Sequence, residues 1–131
     1  MVLGTGVDIL DIERVAKVYK KFAEKFSLRI LSQYEKEKFE NLTSESLKVH
    51  FLAKRFAAKE AVLKAIGIGF RDISWHAISI TNDDKGKPSV MISQVLQNIL
   101  LKKFANTGLV VHISLSDEKK YCIAFAVLET V

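Results

Sequence analysis

Phe51-Leu52-Ala53-Lys54-Arg55-Phe56-Ala57-Ala58-Lys59-Glu60-Ala61-Val62-Leu63-Lys64-Ala65 is the stretch from which the fold of this 131-residue chain is read. It belongs to one long helix running from about Ser44 to Ile66, with Gly67 as the glycine that ends it and Gly69 just beyond. Ala53, Ala57, Ala58, Ala61 and Ala65 give that helix slim faces.

Upstream, Asn41 to Ser44 is a short break, and Ser32-Gln33-Tyr34-Glu35 is a capping box opening a helix that reaches about Glu40. From Asp11 the spacing of Ile12, Val15, Tyr19 and Phe22 makes one apolar helical stripe, with Asp11 and Glu13 at its positive end. The chain begins with a short strand, Val2 to Ile9, whose Gly4 and Gly6 imply a bend or a close backbone approach. Asp8 interrupts that otherwise apolar strand. Downstream the character changes. His76 to Thr81 alternates as a strand, Asn82 to Pro88 is turn chemistry, and Ser89 to Ile92 is a strand again. Ser93 caps a helix through Val95, Leu96, Ile99, Leu100 and Phe104 that ends near Asn106-Thr107-Gly108. Leu109 to Ser116 and Tyr121 to Glu129 form a last hairpin. Helices early and strands late predict an α+β fold, a mainly antiparallel sheet packed against helices, in a single domain spanning residues 1–131.

Composition narrows the class. One proline and six glycines exclude collagen-like and low-complexity chains. The single Cys122, set in the apolar run Tyr121 to Phe125, excludes an intrachain disulfide and a multi-cysteine zinc site, and reads as a core residue. No run approaches the length of a membrane span, so no membrane insertion is expected. The N-terminus lacks the pattern of a secretory signal, and a cytoplasmic protein is the expectation. The net charge of +5 points to an acidic partner and is local. Residues 1–70 hold 13 basic and 9 acidic side chains, and residues 71–131 hold 7 and 6. Arg14, Lys17 and Lys21 fall on one side of the first helix, either as a solvated face or as a docking surface for an acidic macromolecule.

Glu60 and Lys64, four apart, share a helix face. As a solvated pair they would contribute only ~0.3–0.5 kcal/mol. Read with Asp8 they become a phosphate site: two carboxylates as hard ligands for Mg²⁺ and an ammonium for a phosphate oxygen. Spacing alone leaves open whether Asp8 and Glu60 meet. His112, between Val111 and Ile113, is either a hydrogen-bonded strand residue or a ligand contact. There is no P-loop, no GxSxG elbow and no RNP-like aromatic motif.

Gly6-Val7-Asp8-Ile9-Leu10-Asp11-Ile12-Glu13-Arg14 resembles the first signature of the holo-acyl-carrier-protein synthases, the small 4′-phosphopantetheinyl transferases. Phe56 to Ala61, followed by Lys64-Ala65 and Gly67-Ile68-Gly69, resembles the second. Arg29 to Phe39, Gly86-Lys87-Pro88 and Val111 to Asp117 follow in the order such proteins have, so the resemblance spans nearly the whole chain. It implies their fold and their reaction, a step of fatty acid biosynthesis. The phosphopantetheine arm of coenzyme A moves to a serine of apo-acyl-carrier protein, Mg²⁺-dependent, and adenosine 3′,5′-bisphosphate leaves. It implies Asp8 and Glu60 as metal carboxylates and Lys64 as the pyrophosphate lysine. Arg55 and His112 would be contacts to the nucleotide end, with Arg14, Lys17 and Lys21 facing the acidic carrier. Glu60 through a metal-bound water and Glu35 are alternative bases for the serine proton. It also implies a homotrimer with active sites between subunits. The competing classes are a small basic nucleic-acid-binding module without catalysis and a structural partner-binding protein. Asp8 and Glu60 discriminate, because a nucleic-acid surface gains nothing from carboxylates beside its phosphates unless a metal lies between.

Overall fold

The first ten residues after Met1 are one extended strand, β1 (Val2–Asp11), and everything else is arranged around what that strand lies on. Asp11 caps the next element by accepting from the Glu13 N–H, opening α1 (Ile12–Phe22). A computed structural model describes residues 1–105 and 108–131. In it α2 (Glu24–Ile30), α3 (Gln33–Glu40) and α4 (Glu45–Ile66) follow. A 3₁₀ turn (Trp75–Ala77), β2 (Ile78–Asn82), β3 (Pro88–Ile92), α5 (Gln94–Phe104), β4 (Leu109–Asp117) and β5 (Tyr121–Thr130) complete the order. One sheet is antiparallel with order β1-β5-β4, and β2 and β3 form a second antiparallel pair.

α4 is the predicted long helix. Ser44 caps it by accepting from the Leu47 N–H at 3.1 Å. Gly67 ends it in the left-handed region (φ 81°), its N–H donating to Leu63 O at 2.8 Å, a conformation that costs glycine nothing. The helix has no clean polar face because the three-stranded sheet, α1 and α2, and β2 all pack around it. Its alanines 53, 57, 58, 61 and 65 are all buried, and Cys122, Ala124, Ala126 and Leu128 of β5 lie in the same core.

The structure differs from the sequence reading at several points, and the first is that β1 runs on to Asp11 where the strand was expected to end at Ile9. The stripe from Ile12 ends at Phe22 as read, but a further helix that the sequence reading did not include, α2, follows Ala23, which takes φ 44°, so the cations from Arg14 to Arg29 are divided between α1 and α2. The strand expected at His76 starts at Ile78, because Ser74 caps a 3₁₀ turn by accepting from the His76 N–H. The helix capped by Ser93 ends at Phe104. Asn106 and Thr107 of its expected end lie outside the described residues.

Cys122 sits on the α4 side of the sheet. Burial, and then the carboxylates of Asp117 and Asp8, push its thiol up to about 11. The thiolate is the reactive species. The native protein should therefore leave Cys122 unmodified by a maleimide at pH 7.5 for hours, and the unfolded chain should react within minutes. Mass spectrometry of both states checks this.

Candidate active site

Gly4 and Gly6 bring β1 against α4. A methyl group built on Gly4 would fall 2.0 Å from Ala65 O, and one built on Gly6 would fall 2.0 Å from Ala61 O. The strand backbone thus rests directly on the helix backbone, the close approach that the two glycines implied. Two residues on, the pleat turns Asp8 to the same face. There the Lys64 ammonium donates to Asp8 Oδ1 at 3.1 Å and to Val7 O at 3.0 Å. Glu60 lies one turn up the same helix. Burial raises its carboxyl above the ordinary range, the Asp8 carboxylate raises it further, and Lys64 opposes both. Asp8, Glu60 and Lys64 therefore form one electrostatic group, although the two acids are 52 positions apart in the sequence. Lys64 is tied to Asp8 across the elements, where spacing alone had paired it with Glu60.

Three depressions meet here. Asp8, Glu60 and Arg14 share a cleft between β1, α1 and α4. Glu60 and Lys64 share a second with Arg29, Arg71 and Trp75, so three cations stand around one carboxylate. The third is an apolar groove of about 440 Å³ lined by Val18, Phe22, Phe26, Ile30, Phe56 and Trp75, with Lys25 and Arg29 also on its walls. Trp75 is wedged among aromatic rings, its centroid 3.5 Å from that of Phe70 and 4.8 Å from that of Phe56.

The donor set suits Mg²⁺. The Asp8 carboxylate raises the proton affinity of Glu60, a repulsion that a divalent cation between them would relieve, and Mg²⁺ takes one or two protein carboxylates and completes its shell with phosphate oxygens and water. No group of three or more His, Cys, Asp or Glu able to hold a metal occurs among the described residues, which is no obstacle to an ion held partly by its substrate.

The other expected residues lie elsewhere. Arg14, Lys17 and Lys21 are exposed along α1, and Arg14 alone reaches the Asp8–Glu60 cleft. Arg55 is buried on another side of α4. It donates to Asn82 Oδ1 at 2.9 Å, lies 4.0 Å over the Phe51 ring, and its Nε has no hydrogen-bond partner among the described residues. His112 is on β4, registered with Val127, on the sheet face away from α4, and its Nε2 is 3.0 Å from Glu129. Glu35 is fully buried, one oxygen accepting from Ser32 N–H and Lys59 and the other from Ile80 N–H. A carboxylate so enclosed cannot reach an incoming serine. Sequence reasoning missed Trp75 and Arg71, which no motif marks, and the burial of Lys59.

The profile of the family described as the 4′-phosphopantetheinyl transferase superfamily matches residues 4–126. The chain belongs to that superfamily. It is thus a 4′-phosphopantetheinyl transferase, and the resemblance seen around Asp8 and Glu60 holds over the chain. It is 42% identical over 130 residues to the holo-[acyl-carrier-protein] synthase of Vibrio parahaemolyticus, covering 98% of both chains. Its fold is similar to the holo-[acyl-carrier-protein] synthase of Neisseria meningitidis, with a TM-score of 0.86, 37% identity and coverage of 99% and 100%. It is also similar to that of Bacillus anthracis solved in complex with CoA (3′,5′-ADP), with a TM-score of 0.80, 36% identity and coverage of 100% and 99%. No described helix is long and apolar enough to cross a membrane.

Proposed function

We propose that this transferase moves the 4′-phosphopantetheine arm of coenzyme A onto a serine hydroxyl of an apo-acyl-carrier protein, releasing adenosine 3′,5′-bisphosphate, with Mg²⁺ as its metal. The whole chain acts as one domain, in the cytoplasm and in support of fatty acid biosynthesis. The observation that carries this reading is the convergence of Asp8, Glu60 and Lys64 where a cationic cleft and an apolar groove meet.

Asp8 and Glu60 would hold Mg²⁺, which neutralises charge on the pyrophosphate and orients it. Lys64 supplies a point charge to a pyrophosphate oxygen, and Arg29 and Arg71 line the same cleft. Glu60, whose proton affinity is raised, is the group placed to take the serine proton through a water.

The acceptor side is α1. Val18 and Phe22 are exposed among Arg14, Lys17 and Lys21, a surface suited to an acidic helix with an apolar side chain for the groove. The double variant Arg14→Glu/Lys21→Glu should raise the carrier KM about tenfold or more at low salt and leave the coenzyme A KM within twofold. Added salt should narrow the gap, since surface attraction acts over ~8 Å at physiological ionic strength. Steady-state rates at two ionic strengths decide this. A wild-type carrier KM in the variant places docking elsewhere.

The reading extends to a homotrimer with sites between subunits. The sheet face opposite α4 exposes Val7 (55%), Ile9 (63%), Ile123 (42%) and Phe125 (45%), a contiguous apolar patch of the kind an interface covers. His112 lies on that face, so it would reach the nucleotide end of coenzyme A in a neighbour's site. Arg55, whose Nε has no hydrogen-bond partner among the described residues, is assigned to the same end. Mass spectrometry of apo-acyl-carrier protein incubated with this protein, coenzyme A and Mg²⁺ tests the function. A serine-linked gain of the phosphopantetheine mass is expected, and an unmodified carrier overturns it.

A further inference from the structure

Lys59 is a charged side chain with no exposed surface, and all of its protons are used. Its ammonium donates to Glu35 Oε1 at 2.5 Å, to Ile30 O at 2.5 Å and to Trp75 O at 3.2 Å. Glu35 accepts in addition from Ser32 N–H at 2.8 Å and Ile80 N–H at 2.9 Å. One buried ion pair thereby fastens the end of α2, the start of α3, the 3₁₀ turn and β2 onto α4. A buried pair is weak evidence for stability, because apolar residues of similar volume often serve a core as well. Its placement is more informative. The segments it joins carry the groove walls: Phe26 and Ile30 from α2, Trp75 from the 3₁₀ turn, and Phe56 from α4. Glu60 is the next residue along the helix. Apolar packing also holds these segments, with Ile30 buried in the core and the Trp75 ring 4.8 Å from that of Phe56, and Lys59 adds hydrogen bonds from α4 to the backbone of both.

We infer that Lys59, through Glu35 and the carbonyls of Ile30 and Trp75, is a positioning residue that sets the width of the apolar groove beside Glu60. It touches no substrate. Its effect passes through Trp75 and α2, and it rests on the transfer reading only in so far as the groove receives the carrier.

The chain has one tryptophan, so Trp75 is a built-in reporter. The test is the double variant Lys59→Met/Glu35→Met, which removes both charges together and so leaves neither stranded. Acrylamide quenching of Trp75 is measured first, and then the KM for carrier and for coenzyme A, below the melting transition. Quenching is expected to rise at least twofold, the carrier KM about tenfold, and the coenzyme A KM less than twofold. Should the double variant fail to fold, Lys59→Gln/Glu35→Gln is read in its place. It strands no charge and keeps polar groups for the Ile30, Trp75, Ser32 and Ile80 backbone, and both shifts are expected in the same direction and smaller. Quenching and carrier KM at wild-type values in a folded variant overturn the inference and leave the pair as a stability element. An equal rise in both KM values also overturns it. Wild-type protein that transfers nothing overturns the transfer reading instead, and quenching still decides whether Lys59 sets the wall.

Discussion

Glu60→Gln should lose transfer activity by on the order of a thousandfold and yet melt higher than the parent protein at pH 7 without Mg²⁺. The loss follows from removing a ligand whose cation is worth several kcal/mol at the pyrophosphate, where about 1.4 kcal/mol is tenfold in rate. The gain in melting temperature follows from the proton. Burial first, and Asp8 second, raise the Glu60 carboxyl above its ordinary 4.5. A raised acid favours the folded state in its protonated form. That contribution is complete below the unfolded-chain value and is lost as pH rises through the elevated one. At pH 7 the ionised carboxylate therefore works against folding, and the amide does not. Below pH 4 the two proteins should melt together. Mg²⁺ should raise the melting temperature of the parent and leave that of Glu60→Gln in place. Melts at two pH values, with and without Mg²⁺, check this. A variant that is less stable than the parent at pH 7 and still responds to Mg²⁺ would place the carboxylate outside the metal site.

Gly6→Ala is a change of one methyl group with nowhere to go. The new carbon would lie 2.0 Å from Ala61 O, 2.7 Å from Ala65 N and 2.8 Å from Lys64 Cβ. Two of these atoms are helix backbone, so relief requires β1 to move off α4. Overpacking of this kind costs about 3 kcal/mol, which in a chain of this size is roughly a 10 °C drop in melting temperature. Activity per folded molecule should fall further, about a hundredfold, because Asp8 travels with the strand and a displacement near 1 Å is enough. Thr5→Ala, on the outer face, is the control and should melt like the parent. Calorimetry together with rates normalised to folded protein checks both parts. A full-rate Gly6→Ala would mean that Asp8 is not held by the contact between strand and helix.

The elements that declare themselves by local chemistry are legible in the sequence: Ser44 and Gly67 bracket α4, Ser93 opens α5, and Gly86 with its neighbours turns β2 into β3. Asp8 stands out because a carboxylate in an apolar strand needs a reason. The break at Ala23 is hidden, since an alanine with positive φ carries no glycine or proline signal. Lys59 is hidden more deeply. Charged side chains four apart on a helix ordinarily read as a solvated face, and the partners that bury this one, Ile30, Glu35 and Trp75, come from three separate stretches of chain. His112 could be named but not placed, because only the register of β4 on β5 assigns it a face.

The resting of β1 on α4 also settles which way the strand faces. Val7 and Ile9 are apolar and exposed, whereas Asp8 is polar and turned inward. Hydrophobic burial alone would prefer the opposite register, since a shift of one residue exchanges the two faces of a strand. Such a shift would bring Thr5 and Val7 to the places where Gly4 and Gly6 now meet the carbonyls of Ala65 and Ala61, and no side chain fits there. The two glycines thus act as a key, excluding by shape the pairing that oil and water would choose and keeping the one that delivers a carboxylate to Lys64.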